Sequence, residues 1–546
     1  MFFASTLIMI IPVLCFAFLA LRYYTHMLQL SSYQFQGYFR FLRSIPLRLC
    51  AHVAILVLSV AVAFGRNVIG AGPGLFILLL VLGIYIALII AYLPRPAKKK
   101  FVVTDRVKRL IVTYVVITLL VFGLTMIISS AVTKGDNTSV VVAEMVACAV
   151  YVAVLPLLTA LANLINKPIE NRINRYYIDD AVRILREHEG LRIIGITGSF
   201  GKTSVKYYLN TLLSEGFRVL MTPESYNTPM GIVRTIREHM QPTHEIFICE
   251  MGARHLHDIK EITDIVHPDD GILTSIGYQH LETFHSLENI ISTKYELLDA
   301  VDEKEKSEGG KVPGKHLKFV NGDNEIIREN MKYPDAITYG LNEGNDYRAT
   351  DITVIGAGTA FTVTSPAGES AEYTTKLVGR HNVENIVGAI AAANSLGIPM
   401  TKLKMAVRRL QSVPHRLELT KHGNVAILDD AYNSNPNGAK VALETLALFT
   451  DSVKILVTPG MVELGAKEDE YNREFGAQAA AVCDYIILVG EKNSTSIKMG
   501  ALGAGFDTER IFVKSTFNEA SALMYELDAG REKVILLEND LPDNYK

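Results

Sequence analysis

Gly195-Ile-Thr-Gly-Ser-Phe-Gly-Lys-Thr-Ser204 is the stretch on which the reading of the chain turns. It follows an apolar run at 191–194 and leads into 205–213, where apolar residues recur at helical spacing. A strand that passes through a glycine-rich turn into a helix leaves several backbone N–H groups unpaired and aimed at one point, and the helix dipole adds positive potential there. Such a turn is a cradle for phosphate. Gly198, Ser199 and Gly201 form it, Lys202 brings a point charge to the outer phosphates, and Thr203, with Ser204 beside it, places a hydroxyl to ligate magnesium. The spacing departs from the strict nucleotide-loop pattern, because Ile196 stands where its first glycine belongs. A tight turn without a ligand accounts for Gly198 and Gly201, but not for Gly-Lys-Thr after a buried strand.

The chain has 546 residues, room for about three compact units, and its net charge of −3 makes no case for nucleic-acid binding. The average conceals two compositions. Apolar runs dominate to about residue 165, and the remainder has the mixed charge of a soluble enzyme. Cys15, Cys50, Cys148, Cys249 and Cys483 form no Cys-x-x-Cys pair, which suggests neither a zinc ribbon nor a disulfide framework.

The runs at 2–21, 49–65, 75–93, 110–132 and 140–165 are each about the length of a helix that crosses a bilayer, although the second is short and the fifth carries Glu144 and Pro156. They predict an amino-terminal bundle of about five transmembrane helices over 1–166, with membrane lipid as a partner. No basic residue precedes Arg22 and no small-residue cleavage site is evident, so the first run reads as an uncleaved anchor. Arg22, Arg40, Arg43 and Arg48 lie in the first loop, and Arg95, Lys98, Lys99, Lys100, Arg106, Lys108 and Arg109 in the third; the second and fourth hold only Arg66 and Lys134. Basic loops stay in the cytoplasm. The expectation is a multi-pass protein with its amino terminus outside and the phosphate loop in the cytoplasm. His52 and Glu144 read either as a polar pathway or as satisfied contacts between helices.

After the phosphate loop, short apolar runs at 218–221, 245–250, 271–274 and 317–320 alternate with helical segments, which predicts a doubly wound, mainly parallel sheet. Strands at 353–363 and 373–377 make a β-rich appendage. From 378 the alternation resumes, with helices at 383–396, 439–449 and 470–481 and strands at 425–428, 454–457, 485–489 and 534–537. The expected organisation is therefore a membrane region at 1–166, a central ATP-binding α/β domain at 167–377 and a second, Rossmann-like α/β domain at 378–546.

Several residues fall where the ligand edge of these sheets is expected. Glu250 ends a strand beside the loop and is a candidate magnesium ligand. His280 follows the next strand, where a metal ligand and an ordinary loop histidine are both reasonable. Lys294 sits on a helix, where a solvated lysine is the ordinary case. In Gly379-Arg-His-Asn-Val-Glu-Asn385, Asn382 can pair with an adenine edge or cap a helix. Arg416 suits a phosphate. Asp429-Asp-Ala-Tyr-Asn-Ser-Asn-Pro436 follows a buried strand with paired aspartates that turn chemistry does not explain.

These stretches, with Thr222-Pro-Glu-Ser-Tyr-Asn-Thr-Pro-Met-Gly231 and Gly460-Met-Val-Glu-Leu-Gly465, resemble in order and spacing the Mur ligase family over about 191–489. Members are ATP-dependent ligases that build the peptide stems of bacterial cell-wall precursors. The resemblance implies ATP and Mg2+ as cofactors and an acyl-phosphate intermediate that an amine attacks to form an amide. It gives Lys202 and Arg416 the transferring phosphoryl group. Thr203, Glu250 and His280 become the metal shell, together with Lys294, whose counterpart in the family is carbamylated. Asn382, Asn385, Tyr432 and Asn433 match adenine and ribose contacts across a cleft that closes, and Asp430 joins the cofactor-binding residues. The partners implied are a small-molecule or lipid-linked cell-wall precursor and an amino acid or dipeptide, D-alanyl-D-alanine or similar, at the bacterial cell membrane. Two departures bear on the substrate: membrane-type sequence stands where the family's uridine diphosphate-binding domain is found, and Leu536-Leu-Glu-Asn-Asp-Leu-Pro-Asp-Asn544 lacks a Lys-Gly-Ser ending. The alternatives are a polymer-extending ligase resembling poly-γ-glutamate synthase, and a membrane transporter or scaffold driven by nucleotide.

Overall fold

A computed structural model describes residues 2–50, 52, 71–94, 100–132, 143, 146–147, 150–310, 315–355, 358–431, 435–528 and 530–540. The chain divides at Arg175 and Tyr176 into two compact units.

The second unit is built on two sheets. In the first, β1 (Arg192–Thr197), β2 (Val219–Met221), β3 (Ile246–Glu250), β4 (Asp270–Leu273), β5 (Lys318–Asn321), β6 (Ile337–Gly340), β7 (Tyr347–Ile355), β8 (Gly358–Thr364) and β9 (Ser370–Thr375) lie in the order β2-β3-β1-β4-β5-β6-β7-β8-β9. Neighbours from β2 to β7 are parallel, and β8 and β9 close the edge as an antiparallel meander. Ile194 of β1 is in register with Ile248 on one side and Asp270 on the other, so the loop after Thr197 emerges between the carboxyl ends of β3 and β4. That is the ligand edge of a parallel sheet.

Strand β1 is buried on both faces, which is why it reads as a continuous apolar run. Ile194 and Ile196 face one core with Val205 and Leu209 of the helix Lys202–Leu213; Ile193 faces another with Ile262 and Leu297. Each such side chain contributes about 1.5–3 kcal/mol by leaving water.

The helix Arg380–Ser395, expected to open the last domain, belongs to the first core. Val383, Ile386 and Ile390 pack there with Tyr208 and Leu212. Small residues let it lie close: a Cβ on Gly388 would come within 2.7 Å of the Tyr339 ring. Helix Met400–Arg409 adds Leu403 and Val407 to the same core. The first lobe thus runs past the boundary expected at 377/378, to between Arg409 and the start of the second sheet.

The second sheet has β10 (Glu418–His422), β11 (Val425–Asp430), β12 (Val453–Thr458), β13 (Tyr485–Val489), β14 (Ile511–Lys514) and β15 (Lys533–Glu538) in the order β10-β11-β15-β12-β13-β14, parallel except for β10 with β11. Two α/β lobes with mainly parallel sheets are therefore present, as the alternating pattern predicts.

The first unit is helical, with Phe2–Leu30, Phe35–Ser44, Ala71–Tyr92, Asp105–Val132 and the first part of Leu155–Glu187. Five membrane crossings are not found among the described residues. Among the described residues one helix, Asp105–Val132, is long and apolar enough to cross a membrane by length and composition. The expected run at 49–65 lies mostly outside the described residues, as do Glu144 and part of 140–165. Apolar runs misled because several of these side chains build an internal core: Phe16, Tyr24, Tyr38, Tyr92 and Tyr114 are buried together. His52 is a satisfied interhelical contact, with Nδ1 at 2.9 Å from the Val152 carbonyl and Nε2 at 3.1 and 2.9 Å from the Tyr24 and Tyr92 hydroxyls. The described residues therefore contradict the multi-pass placement with its sidedness and give no support to a membrane-lipid partner.

Candidate active site

The loop after β1 is pinned to the loop after β4. Ser199 donates its amide to the Ser275 carbonyl at 2.9 Å and its hydroxyl to the Gly277 carbonyl at 3.0 Å, and the Phe200 amide donates to Ser275 Oγ at 2.8 Å. Two glycines are required by geometry. A Cβ on Gly198 would come within 2.1 Å of Thr274 Oγ1 and 2.8 Å of the Ser275 nitrogen. Gly201, at the helix N-cap, has φ +82°, and a Cβ there would meet Asn385 Oδ1 at 2.7 Å.

Lys202 folds back over this turn, donating to the Gly198 and Ser199 carbonyls at 2.7 and 3.2 Å. Burial brings its amine down to about 8, with Glu250 opposing the shift and Arg416 adding to it. Thr203 donates to Glu250 Oε1 at 3.1 Å, as does Asn227 Nδ2, also at 3.1 Å. On the other oxygen of Glu250, Lys206 Nζ stands 3.0 Å away as an ion pair; that oxygen has no aligned hydrogen bond. Burial alone would raise the Glu250 carboxyl, but Lys206 and Lys202 hold it below the usual carboxylate range. Lys206 and Asn227 are parts of the site that sequence reasoning missed. Lys206 lies one helical turn beyond Lys202, which is the signal that was available.

Lys294 is 2% exposed. Among the described residues its amine has no hydrogen-bond or ion-pair partner. Burial pushes it well below the ordinary lysine value and the charge of Lys202 adds to the shift, against Asp258 and Glu296. A solvated surface lysine is excluded. Burial also lowers His280, against the pull of Glu463, with Arg254 and Lys294 lowering it further. His280 Nδ1 lies 2.5 Å from Glu463 Oε2, and Glu463 is a third residue without a signal in the local sequence. Lys202, Glu250, Lys294 and His280 are thus linked in one electrostatic cluster.

The expected adenine contacts divide. Asn382 is buried with both ends of its carboxamide taken, Oδ1 by Tyr208 at 2.8 Å and Nδ2 by the Val378 carbonyl at 2.8 Å. It neither caps the helix, whose N-cap is Gly379, nor has a free edge for a base. Asn385 stands against Gly201. Arg416 projects its charge onto both Lys202 and Asp430. Burial raises Asp430 to about 6 despite Arg416 and the Leu417 amide. Tyr432 and Asn433 lie outside the described residues. Asn435 caps the helix Pro436–Ala447, accepting from the Gly438 amide at 2.9 Å, which is the turn-chemistry role.

Among the described residues no three His, Cys, Asp or Glu side chains come together to hold a metal. The donor set nevertheless fits a hard cation in part. Glu250 has a buried oxygen without a hydrogen bond, facing Lys206, and Thr203 stands at its other oxygen, the start of an oxygen-donor set.

A glycine-rich phosphate loop at the edge of a parallel sheet, followed by a second α/β lobe, defines a two-lobed nucleotide-binding enzyme fold. Residues 196–393 match the Mur ligase middle domain and residues 415–538 match the domain described as Mur ligase, glutamate ligase domain. The chain belongs to the Mur ligase family over these two lobes. It is 31% identical over 290 residues to the UDP-N-acetylmuramoyl-tripeptide–D-alanyl-D-alanine ligase of Bacillus subtilis (strain 168), covering 53% of this chain and 60% of that protein. To the ligase of the same name from Escherichia coli (strain K12) it is 28% identical over 331 residues, covering 59% and 70%. The fold is that of the MurF ligase from Thermotoga maritima in complex with ADP, with a TM-score of 0.59 at 24% identity over 67% of this chain and 80% of that one. The chain thus spans three-fifths of the Bacillus relative's length.

Proposed function

We propose that this chain is an ATP-dependent carbon–nitrogen ligase that adds D-alanyl-D-alanine, or a similar amino acid or dipeptide, to a peptidoglycan precursor. The reading is carried by the linked cluster of Lys202, Glu250, Lys294 and His280 at the phosphate-loop edge of a Mur ligase middle domain. The precursor's carboxylate attacks the γ-phosphorus of ATP, giving an acyl-phosphate and ADP. The amine then adds to the acyl carbon, the tetrahedral intermediate expels phosphate, and an amide remains. No protein nucleophile is needed; what limits the reaction is repulsion between two anions.

Lys202 and Arg416 supply positive charge to the transferring phosphoryl group, the first from the loop and the second from the segment entering the second lobe. Backbone amides of the Gly198–Thr203 turn hold the phosphate oxygens, and Asn385 borders the nucleotide. Thr203, Glu250, His280 and Lys294 would hold magnesium, which neutralises phosphate charge when bound. Lys294 serves there as a carbamate. Burial holds its amine well below the ordinary lysine value, which favours the neutral form whose lone pair can attack carbon dioxide; the N–C bond forms, one proton leaves, and a neutral amine becomes an anion.

The test is product formation by the purified full chain. ADP release that requires both a UDP-linked tripeptide precursor and D-alanyl-D-alanine supports the assignment. ATP hydrolysis indifferent to both removes it, and processive addition of one amino acid without a UDP-sugar points to a polymer-extending ligase instead.

A further inference from the structure

The ligase reading leaves unexplained what the second lobe does at His280. The segment 276–282 of the first lobe and 463–471 of the second meet at three points. His280 Nδ1 meets Glu463 Oε2 at 2.5 Å, and the Glu282 amide donates to the Glu463 carbonyl at 3.3 Å. The rings of Tyr278 and Tyr471 lie 5.8 Å apart, with Lys467 Nζ 5.3 and 5.8 Å from their centroids. Arg254 stands 3.9 Å from the other Glu463 oxygen.

The two residues at the centre are both strained. His280 has φ +52° and Glu463 φ +66°, a left-handed conformation that costs a non-glycine residue free energy and persists where the surroundings impose it. Both side chains are mostly buried, at 11% and 22% exposure. A carboxylate is acceptor-only, so Nδ1 of a neutral imidazole must carry the hydrogen and Nε2 must keep the lone pair. A histidine in that tautomer is ready to donate Nε2 to a cation, and the group holding its other nitrogen sets the ring.

We propose that Glu463 is a positioning residue: carried in by the second lobe, it fixes the tautomer and orientation of His280, so that the metal site is complete only when the lobes have met. The inference rests on the ligase reading for the identity of the cation. It makes lobe docking a condition for metal binding rather than a consequence of it, and gives the Gly460–Gly465 loop a role in the first lobe's chemistry.

Two measurements on the full chain test it. With 15N-labelled histidine, NMR of the metal-free protein reads the His280 tautomer, assigned by loss of the signal in His280→Ala; Nδ1–H is expected. Mn2+ titration followed by electron paramagnetic resonance, with ADP present, reads the site itself. Glu463→Met, which fills the volume but accepts no hydrogen bond, is expected to abolish the Nδ1–H preference and to weaken Mn2+ binding about 10–100-fold. Glu463→Gln, whose amide oxygen can still accept, is expected to restore both. An Nε2–H tautomer in the wild-type protein overturns the inference with no variant needed, as does a Glu463→Met protein unchanged in either readout. Failure of the wild-type chain to bind Mn2+ or ADP at all counts against the ligase reading, and the tautomer measurement then decides the role of Glu463 alone.

Discussion

Lys206 Nζ stands 3.0 Å from Glu250 Oε2, and the two side chains are 0% and 1% exposed. A buried pair of this kind is expensive to break from one side, because the remaining charge is left in a medium that cannot solvate it. Lys206→Met is therefore expected to destabilise the first lobe by about 3–5 kcal/mol, read from urea unfolding. Glu250→Gln alone should cost a comparable amount. The double variant Lys206→Met/Glu250→Gln removes both charges and should recover most of that stability while remaining inactive. Activity retained in the double variant would mean that Glu250 serves only the fold.

The buried amine of Lys294 makes a chemical prediction. A group held below its unfolded pKa is deprotonated in the fold while the unfolded chain still binds the proton, so it costs stability as pH falls below about 10.5. Lys294→Met is expected to be more stable than the wild type at neutral pH, by a margin that shrinks toward alkaline pH, and to lose at least about 100-fold in ligase rate. In 13C-bicarbonate the wild-type protein should show a carbamate carbonyl resonance that Lys294→Met lacks. A protein without that signal, fully active in carbon dioxide-free buffer, would show that Lys294 works as a plain amine.

How much of this was legible in the sequence depends on what each feature needs. The phosphate loop, its strand and its helix were readable, because a glycine that cannot bear a Cβ leaves a mark in the sequence and so does a doubly buried strand. Partnership across the fold was not. Nothing local distinguishes Asn382, spent on Tyr208, from Asn385, beside Gly201, since they are three residues apart on one helix. The same holds for the helix Arg380–Ser395: its apolar face specifies that it packs, not against which sheet. Lys294 reads as a surface lysine until the helix Leu287–Ser307 is seen to be buried along much of its length. The apolar runs before residue 166 pointed to lipid, but aromatic hydroxyls such as Tyr24 and Tyr92 carry a polar end that a helix core can satisfy. Glu463 carries no local signal of its role, because its partner is 183 residues away.

The division of the two asparagines can be measured. Asn382→Ala leaves the Tyr208 hydroxyl and the Val378 carbonyl without partners inside the core, at a cost of about 1–3 kcal/mol, with KM for ATP unchanged at temperatures where the variant is folded. Asn385→Ala is expected to do the reverse, raising KM for ATP several-fold with little change in the urea midpoint. Exchange of the two outcomes would return Asn382 to the nucleotide and make Asn385 a packing residue.

Glu384, beside these asparagines, supplies a pH signature. Burial raises its carboxyl to about 7, with Asn321 and Arg380 opposing and Asp323 adding. Asn321 Nδ2 donates to Glu384 Oε1 and also to the Thr274 carbonyl, which ties this acid to the strand end that supports the phosphate loop. A carboxyl raised in the fold binds a proton that the unfolded chain has already released, so stability falls as pH rises from about 4.5 to about 7 and is level above that. The displacement corresponds to roughly 3 kcal/mol at neutral pH. Glu384→Gln keeps an acceptor for Asn321 and has no charge to bury. Its stability advantage over the wild type should be absent near pH 4, grow through the window and reach a plateau above pH 7. Urea melts at half-unit pH steps measure it directly; an advantage that is the same at every pH would assign the gain to packing and place Glu384 in contact with water.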